Sequence, residues 1–443
     1  MGNLTTPEKV QKLQEALHAK AKAEPGFRFY ALYDKISRED ILAHAYAQCR
    51  ANKGAPGVDG QDFADIEAYG VQRWQGELAL DLRRETYRAQ AIRRTYILKA
   101  NGKLRPLGIP SVRDRVCMTA VMLVLGPIYE ADLTDEQYAY RPGRNAQQAV
   151  LDVQHTLHRG RPDVVDADLA DYFGSIPQAE LMKSVARRIV DRRVLHLIKM
   201  WLESAVEETD KRGRKTRTTE ARDRRCGITQ GSPISPLLAN LYMRRFVLGW
   251  KKLGLDKSLG SRIVNYADDL VILCRKGGAE EALTQMREIM GRLKLKVNEE
   301  KTRICKVPQG EFDFLGYTFG VMYSPKTGKA YTGARPSKKS IARMVEKVHV
   351  LTDRKTTWQE TTEVVGKVNR ALRGWANYFQ VGTTSRAYRA LDAYTAPRLR
   401  RWLRKKHQSG QSKGRSYPYR ALYEQLGLVR LGVARRDQPW AKA

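Results

Sequence analysis

The chain has 443 residues, room for two or three domains, and its hydrophobic fraction of 42% is ample for a core. Its 80 Lys and Arg against 48 Asp and Glu leave a formal net charge of +32, far beyond what solubility needs, which points to a large anionic partner with nucleic acid first. No run of about 18 apolar residues predicts a membrane span, the N-terminus has no apolar signal core, and five scattered cysteines exclude a CxxC zinc site and fit a reducing compartment.

Residues 8 to 24 read as a polar helix with Val10, Leu13, Ala16 and Leu17 on one side. Ser37 followed by Asp40 resembles a helix start, and APGVDG at 55 to 60 is a turn cluster. Residues 91 to 110 predict a β-hairpin turning at Asn101-Gly102. A mainly helical stretch follows from about 112 to 130. DVVDAD (163 to 168) enters a short apolar strand that ends in acids, and helical patterns resume through about 205. RGRKT (212 to 216) is a basic turn. CGITQGSPISP reads as strand to loop, leading into the helix LLANLYMRRFVLGW. RIVNYADDLVILC (262 to 274) predicts a hairpin, followed by a helix near 279 to 293 and strands around 295 to 305 and 312 to 319.

Beyond residue 335 the pattern is helical: 338 to 352, 358 to 379 and 386 to 406. From Pro336 to Ala443 there are 24 Lys/Arg and 7 Asp/Glu, a net charge of +17, so about a quarter of the chain carries over half the excess. This predicts a boundary near 335 and a phosphate-seeking C-terminal segment. The basic, Gly/Ser-rich stretch 405 to 418 reads as a loop.

Asp268 and Asp269 stand side by side between two strand-forming runs. Two carboxylates about 4 Å apart repel by roughly 4 kcal/mol at an effective dielectric of 20. Either water screens them in an ordinary turn or cations hold them together. If the strand ending at Asp168 neighbours this hairpin, three carboxylates converge on a hard-oxygen site suited to magnesium. Asp166 shares a strand side with Asp168 and is a reserve candidate; Asp171 reads as a solvated acid.

VVDADLADYFGSIP, GITQGSPISPLLANLY, NYADDLVIL, LKLKVNEEKT and FDFLGYTF resemble successive motifs of reverse transcriptases. YILKANGKLRPLGIPSVRDRV and YAYRPGRNAQQAV resemble the group II intron-encoded branch, and ALRGWANYFQVGTTSRAYRALDAY its maturase, or thumb, region. The resemblance covers residues 27 to 443. It implies an α+β right-hand polymerase: an N-terminal extension and start of the fingers over 1–90, fingers and palm over 91–335, and a helical thumb/maturase region over 336–443.

The resemblance implies roles where residues match. Asp168, Asp268 and Asp269 correspond to the metal-binding triad, with the backbone carbonyl of Leu169 as a further oxygen ligand for two Mg²⁺ ions, Mn²⁺ being a substitute. Lys301 corresponds to the lysine that protonates or electrostatically stabilises departing pyrophosphate. Lys99 and Arg105 correspond to fingers residues on the incoming triphosphate. Phe173 matches the gate that clashes with a ribose 2′-hydroxyl. Gln230 and Gly231 match the loop beside the nascent base pair, braced by Ser232 and Pro233. Phe314, Leu315, Gly316 and Tyr317 match the primer grip. Arg141 and Arg144 read as template or structural contacts.

In the C-terminal region, Arg386, Arg389, Arg398, Arg400, Arg401, Arg404, Lys405 and Lys406 are the expected RNA phosphate contacts. Trp375, Tyr378, Phe379, Tyr388, Tyr394 and Trp402 are interleaved with them, and helical spacing assigns most of these to a packed thumb core. The implied partners are group II intron RNA, an RNA template with a DNA primer, dNTPs and a DNA target, and no membrane. The implied location is the cytoplasm, on the nucleoid when bound to DNA. No HNH-type Cys/His cluster is seen, so second-strand cleavage is not expected of this chain. The alternatives are a domesticated relative acting in DNA repair or phage defence, and a splicing factor without polymerisation; the intact acidic triad argues against the second.

Overall fold

The computed structural model describes residues 4–98, 102, 104–210, 212–324, 327–407 and 417–434. Twelve strands lie among them, in three sheets. The first carries the expected hairpin, β1 (Ile92–Leu98) against β2 (Leu104–Ile109), with Arg93 opposite Ile109 and Leu98 opposite Leu104. Gly102 has φ of 77°. A second, short hairpin, β4 (Val206–Thr209) and β5 (Lys215–Thr218), joins the edge of β1 in parallel, giving the order β2-β1-β4-β5.

The central sheet is built on β3 (Asp163–Ala170). On one side β3 pairs antiparallel with β7 (Asp269–Cys274), which pairs with β6 (Arg262–Tyr266). On its other side it pairs with β9 (Arg303–Lys306) near its start and with β8 (Lys296–Val297) near its end. The third sheet is a meander, β10 (Phe312–Phe314), β11 (Tyr317–Tyr323) and β12 (Ala330–Pro336).

Alternation along β3 divides the core in two. Val165, Ala167 and Leu169 face the larger cluster, with the helices Val112–Glu130, Gln178–Ala186, Ser235–Lys252 and Ala279–Arg292. Val164 faces a second cluster, formed with the Ala146–His158 helix and the meander. The same face of β3 continues through Asp166 to Asp168. One strand thus begins as core and ends as a row of acids.

Caps explain several helix starts. Asn145 and Gln148 form a capping box ahead of Ala146–His158, and Ser111 and Ser337 accept from backbone N–H groups at the starts of their helices. Two local expectations are corrected. The helix Glu39–Ala51 begins after Arg38 without a side-chain cap, because the Ser37 hydroxyl donates to the Asp34 carbonyl and Asp40 pairs with Arg38 instead. Residues 226 to 234 form a loop where a strand was expected, apart from one bridge between Cys226 and Pro177.

The C-terminal helices Lys338–Leu351, Thr361–Tyr378 and Ser385–Lys406 match the expected spans closely. They enclose their own core, including Val348, Val368, Leu372, Leu399 and Trp402. Phe379, Tyr388 and Trp402 are buried, as helical spacing implied.

Candidate active site and nucleic-acid surfaces

Asp168 and Asp269 are direct register partners across β3 and β7. Residues opposite each other in an antiparallel pair project to the same face, so the two carboxylates share one side of the sheet. Asp268 sits beside them in the two-residue turn between β6 and β7, preceded by Ala267 in the left-handed region at φ 59°. A non-glycine residue there is strained. The buried Asn265 holds the turn by donating from Nδ2 to the carbonyls of Ala267 (2.9 Å) and Asp269 (3.2 Å).

Burial, and then the charges of Asp268, Asp168 and Asp166, push the Asp269 carboxyl up to about 7, against the opposing pull of Lys301. Solvent still reaches its side chain. Burial also raises Asp166, to about 6, although Arg303 pairs with it at 3.3 Å. Asp168 is differently placed: Lys301 Nζ donates to its Oδ2 at 2.9 Å and Asn298 Nδ2 to the same oxygen at 3.0 Å. The Asp168 N–H donates to Thr302 Oγ1 and its carbonyl accepts from the Asn298 N–H at 2.8 Å. The whole NEEKT stretch therefore wraps the end of β3, and its Asn298 and Thr302 were not singled out from the sequence. Leu169 points its side chain into the larger core.

Among the described residues no three His, Cys, Asp or Glu side chains already form a closed metal cage. The donors nevertheless fit a hard divalent cation. They are carboxylates only, burial and then the neighbouring acid charges raise Asp269, and magnesium characteristically completes its shell with water and substrate phosphate.

The neighbouring elements close on this edge. Residues 136 to 138 extend β6, with reciprocal backbone bonds between Asn265 and Glu136 and between Tyr138 and Asn265. This brings Tyr140, left-handed at φ 58°, beside the turn. Desolvation and then Asp268 push the Tyr140 phenol above its ordinary range, while Arg105 pulls it back. Arg105, exposed on β2, is thus within electrostatic reach of Tyr140. Lys99 lies outside the described residues. Tyr140 is a further residue that the sequence reading passed over.

Gln230 and Gly231 lie against β2. The Gly108 N–H donates to the Gln230 carbonyl at 2.7 Å, and a Cβ on Gly231 would stand 2.5 Å from the Gly108 carbonyl oxygen. Glycine at φ 105° is what lets the loop approach this closely. Ser232 is buried, and Ser235 Oγ donates to the Thr229 carbonyl at 2.7 Å, bracing the loop. Phe173 is half-buried against the larger core, edge-on to Tyr172, and its carbonyl accepts from the Ile228 N–H.

The expected primer-grip residues separate into two kinds. Phe314 and Tyr317 are buried in the second core, which corrects their assignment as primer contacts. Leu315 and Gly316 form the turn between them, both with positive φ (50° and 78°). The C-terminal helices clasp that turn: Ser337 N–H and Ser340 Oγ donate to the Gly316 carbonyl, each at 2.9 Å, and Tyr378 Oη donates to the Leu315 carbonyl at 3.0 Å.

The expected RNA contacts also separate. Arg141 is buried, with its guanidinium donating to both Glu130 carboxylate oxygens and to the carbonyls of Thr134 and Gln137. Of the two readings the sequence leaves open for Arg141, template contact or structural contact, these bonds support the structural one. Arg144 pairs with Asp135 at 2.8 Å. Arg398 donates to the His349 and Thr352 carbonyls, Arg400 to the Tyr417 carbonyl, and Lys406 to the Thr357 and Gln359 carbonyls. These three are half-buried and tie loops of their own domain together. Arg404 is half-buried, while Arg386, Arg389, Arg401 and Lys405 are exposed. A separate basic concavity of about 500 Å³ gathers Arg28, Lys183, Arg187, Arg244 and Arg245 around Asp132. No helix among the described residues is long and apolar enough to cross a membrane.

Comparison with known proteins agrees with this geometry. Residues 97–319 match the reverse transcriptase (RNA-dependent DNA polymerase) family, and residues 341–419 match the group II intron maturase-specific domain. The chain is 32% identical to Protein YkfC of Escherichia coli (strain K12), over 70% of this chain and 87% of YkfC. It is 30% identical to the group II intron-encoded protein LtrA of Lactococcus lactis subsp. cremoris, over 62% of this chain and 43% of LtrA, so the match spans less than half of that relative. A shorter match, 31% over 24% of the chain and 15% of the relative, is to the nuclear intron maturase 2, mitochondrial, of Arabidopsis thaliana. With paired carboxylates on adjacent central strands and a helical domain of its own behind them, the chain belongs to the reverse transcriptase family, in the branch that joins this RNA-directed DNA polymerase to a group II intron maturase domain.

Proposed function

We propose that the chain copies RNA into DNA at the edge formed by Asp168, Asp268 and Asp269, and that it binds a group II intron RNA to promote its splicing and mobility. The observation that carries the polymerase reading is the register pairing of Asp168 with Asp269, with Asp268 in the adjoining turn. Reverse transcriptase domains use divalent metal ions. The chemistry that two bound Mg²⁺ ions supply, with Mn²⁺ as a substitute, is activation of the primer 3′-hydroxyl and stabilisation of the leaving oxygen. The three carboxylates, with the Leu169 carbonyl, would hold them.

The protein's own groups do the rest. Arg105, with Lys99, binds the triphosphate of the dNTP. Phe173 lies under its sugar and excludes a 2′-hydroxyl. Gln230 and Gly231 contact the nascent base pair, and the turn at Leu315 and Gly316 supports the primer end. Lys301 delivers a proton, or positive charge, to departing pyrophosphate. The domain boundary falls near 335, where the meander gives way to the C-terminal helices. Exposed Arg386, Arg389, Arg401 and Lys405, with Arg144 and Arg404, meet RNA phosphates. The protein acts in the cytoplasm, and on the nucleoid when engaged with target DNA.

The test is primer extension on an RNA template with Mg²⁺ and dNTPs, comparing wild type with Asp268→Asn. Synthesis should fall by about 10²- to 10³-fold or more, by analogy with loss of one preorganised electrostatic group, while RNA binding persists. A wild type that extends no primed template would overturn the polymerase reading.

A further inference from the structure

Trp358 is 78% exposed, more than any other large apolar side chain among the described residues. It stands in the connection between the Lys338–Leu351 and Thr361–Tyr378 helices. An exposed tryptophan on a loose loop would mean little, but this loop is held from several sides. Thr356 Oγ1 donates to the Asp353 carbonyl at 2.7 Å and accepts from Trp402 Nε1 at 3.0 Å. Lys367 Nζ donates to Gln359 Oε1 at 2.8 Å. The Lys406 ammonium donates to the carbonyls on both sides of the tryptophan, Thr357 at 3.2 Å and Gln359 at 2.9 Å. The backbone is pinned while the indole is left in water.

The surroundings are cationic. Arg354 and Lys355 lie in the same connection and are exposed. Arg401 and Lys405, one helical turn apart, are exposed on the helix that carries Lys406. Of the nearby acids, Asp353 accepts from the Lys355 N–H, Glu363 pairs with Lys367 at 2.7 Å, and Glu360 is exposed at the start of the following helix, outnumbered by the cations. A rigidly mounted aromatic face with a cationic rim matches the requirements of an unpaired nucleobase with its flanking phosphates. A duplex offers no free base face to it.

We infer that Trp358 is a stacking platform for an unpaired base of RNA, with Arg354, Lys355, Arg401 and Lys405 meeting the adjoining phosphates. This rests on the RNA-binding reading given above. It also relocates the aromatic contact: the aromatic residues of the C-terminal helices largely build the core, and the exposed one is in a loop.

The test uses the full chain and two labelled RNAs of about 15 nucleotides, near the upper end of a single-module site, one unstructured and one a blunt duplex. Trp358→Ala should weaken binding of the unstructured RNA by about tenfold, within the range for loss of one stacking contact. Duplex affinity, melting temperature and the salt slope should stay within error. Trp358→Phe should restore most of the loss, and the wild-type minus Trp358→Phe fluorescence should be quenched by the unstructured RNA only. An alanine variant with wild-type affinity for both RNAs, beside salt-sensitive wild-type binding, overturns the platform and leaves the RNA-binding reading intact. Equal losses on both RNAs with a lowered melting temperature overturn it in favour of a packing role. A wild type that binds neither RNA overturns both readings.

Discussion

Lys301 Nζ donates to Asp168 Oδ2 at 2.9 Å, which joins the proposed proton donor directly to one of the proposed metal-binding carboxylates. Lys301→Gln should slow single-turnover primer extension by about 10²-fold, the lower end for a general acid. Lys301→Arg separates the two roles. If charge alone matters, the arginine variant keeps most of the rate at every pH. If proton delivery matters, it stays as slow as the glutamine variant. A glutamine variant at wild-type speed would remove Lys301 from the chemistry.

Asp269 links the site to pH-dependent stability. Its folded-state pKa, about 7, lies above the ordinary carboxylate value, so the fold favours the protonated carboxyl. The corresponding stability is complete below about pH 4 and is lost as pH rises through about 7. In the presence of a chelator, the melting temperature of Asp269→Asn should therefore exceed wild type by a margin that widens from pH 5 to pH 8. Differential scanning fluorimetry across that range checks it; a constant margin would contradict the crowding of the acids.

Phe173 is half-buried, its ring already fixed edge-on to Tyr172. Phe173→Ala should leave dNTP incorporation largely intact and cut discrimination against NTPs by roughly 10- to 200-fold, the range for small steric differences in a pocket. Paired extension assays with dNTP and NTP measure it. Unchanged discrimination would return Phe173 to a purely packing role.

Gly316 combines φ of 78° with close neighbours, since an added Cβ would lie 2.9 Å from Ser340 Oγ and 3.2 Å from the Phe379 ring. Gly316→Ala should cost about 1–3 kcal/mol from backbone strain, seen as a lower denaturant midpoint. Extension should become less processive, because the turn sits between the palm and the C-terminal helices.

Charged residues with different burial should fail differently. Arg141→Ala strands the Glu130 carboxylate in a largely enclosed pair and should destabilise the fold by about 3–5 kcal/mol, without changing the salt slope of RNA binding. The double variant Arg401→Gln/Lys405→Gln should leave stability within about 0.5 kcal/mol. On single-stranded RNA it should reduce the log–log salt slope by about 1.4, two contacts at roughly 0.7 each. Salt titrations with matched thermal melts distinguish the two.

Much of this was legible in the residues because local signals agree with the tertiary result. Asn101-Gly102 announces the hairpin of β1 and β2. The acids at the ends of two apolar runs meet as neighbours in one sheet. What was not legible depends on long-range contacts. Arg141 reads as either a template or a structural contact until Glu130 and two carbonyls enclose it. Trp358 falls at the expected start of a helix that begins only at Thr361, and the loop leaves it exposed. Nothing local marks Tyr140 either, since its place depends on residues 136 to 138 joining β6.

The clasp on the Leu315–Gly316 turn has a mechanical consequence. The C-terminal helices are bonded to the carbonyls of the two turn residues proposed to support the primer end. The C-terminal region cannot rock away from the central sheet without breaking those bonds or dragging the turn along.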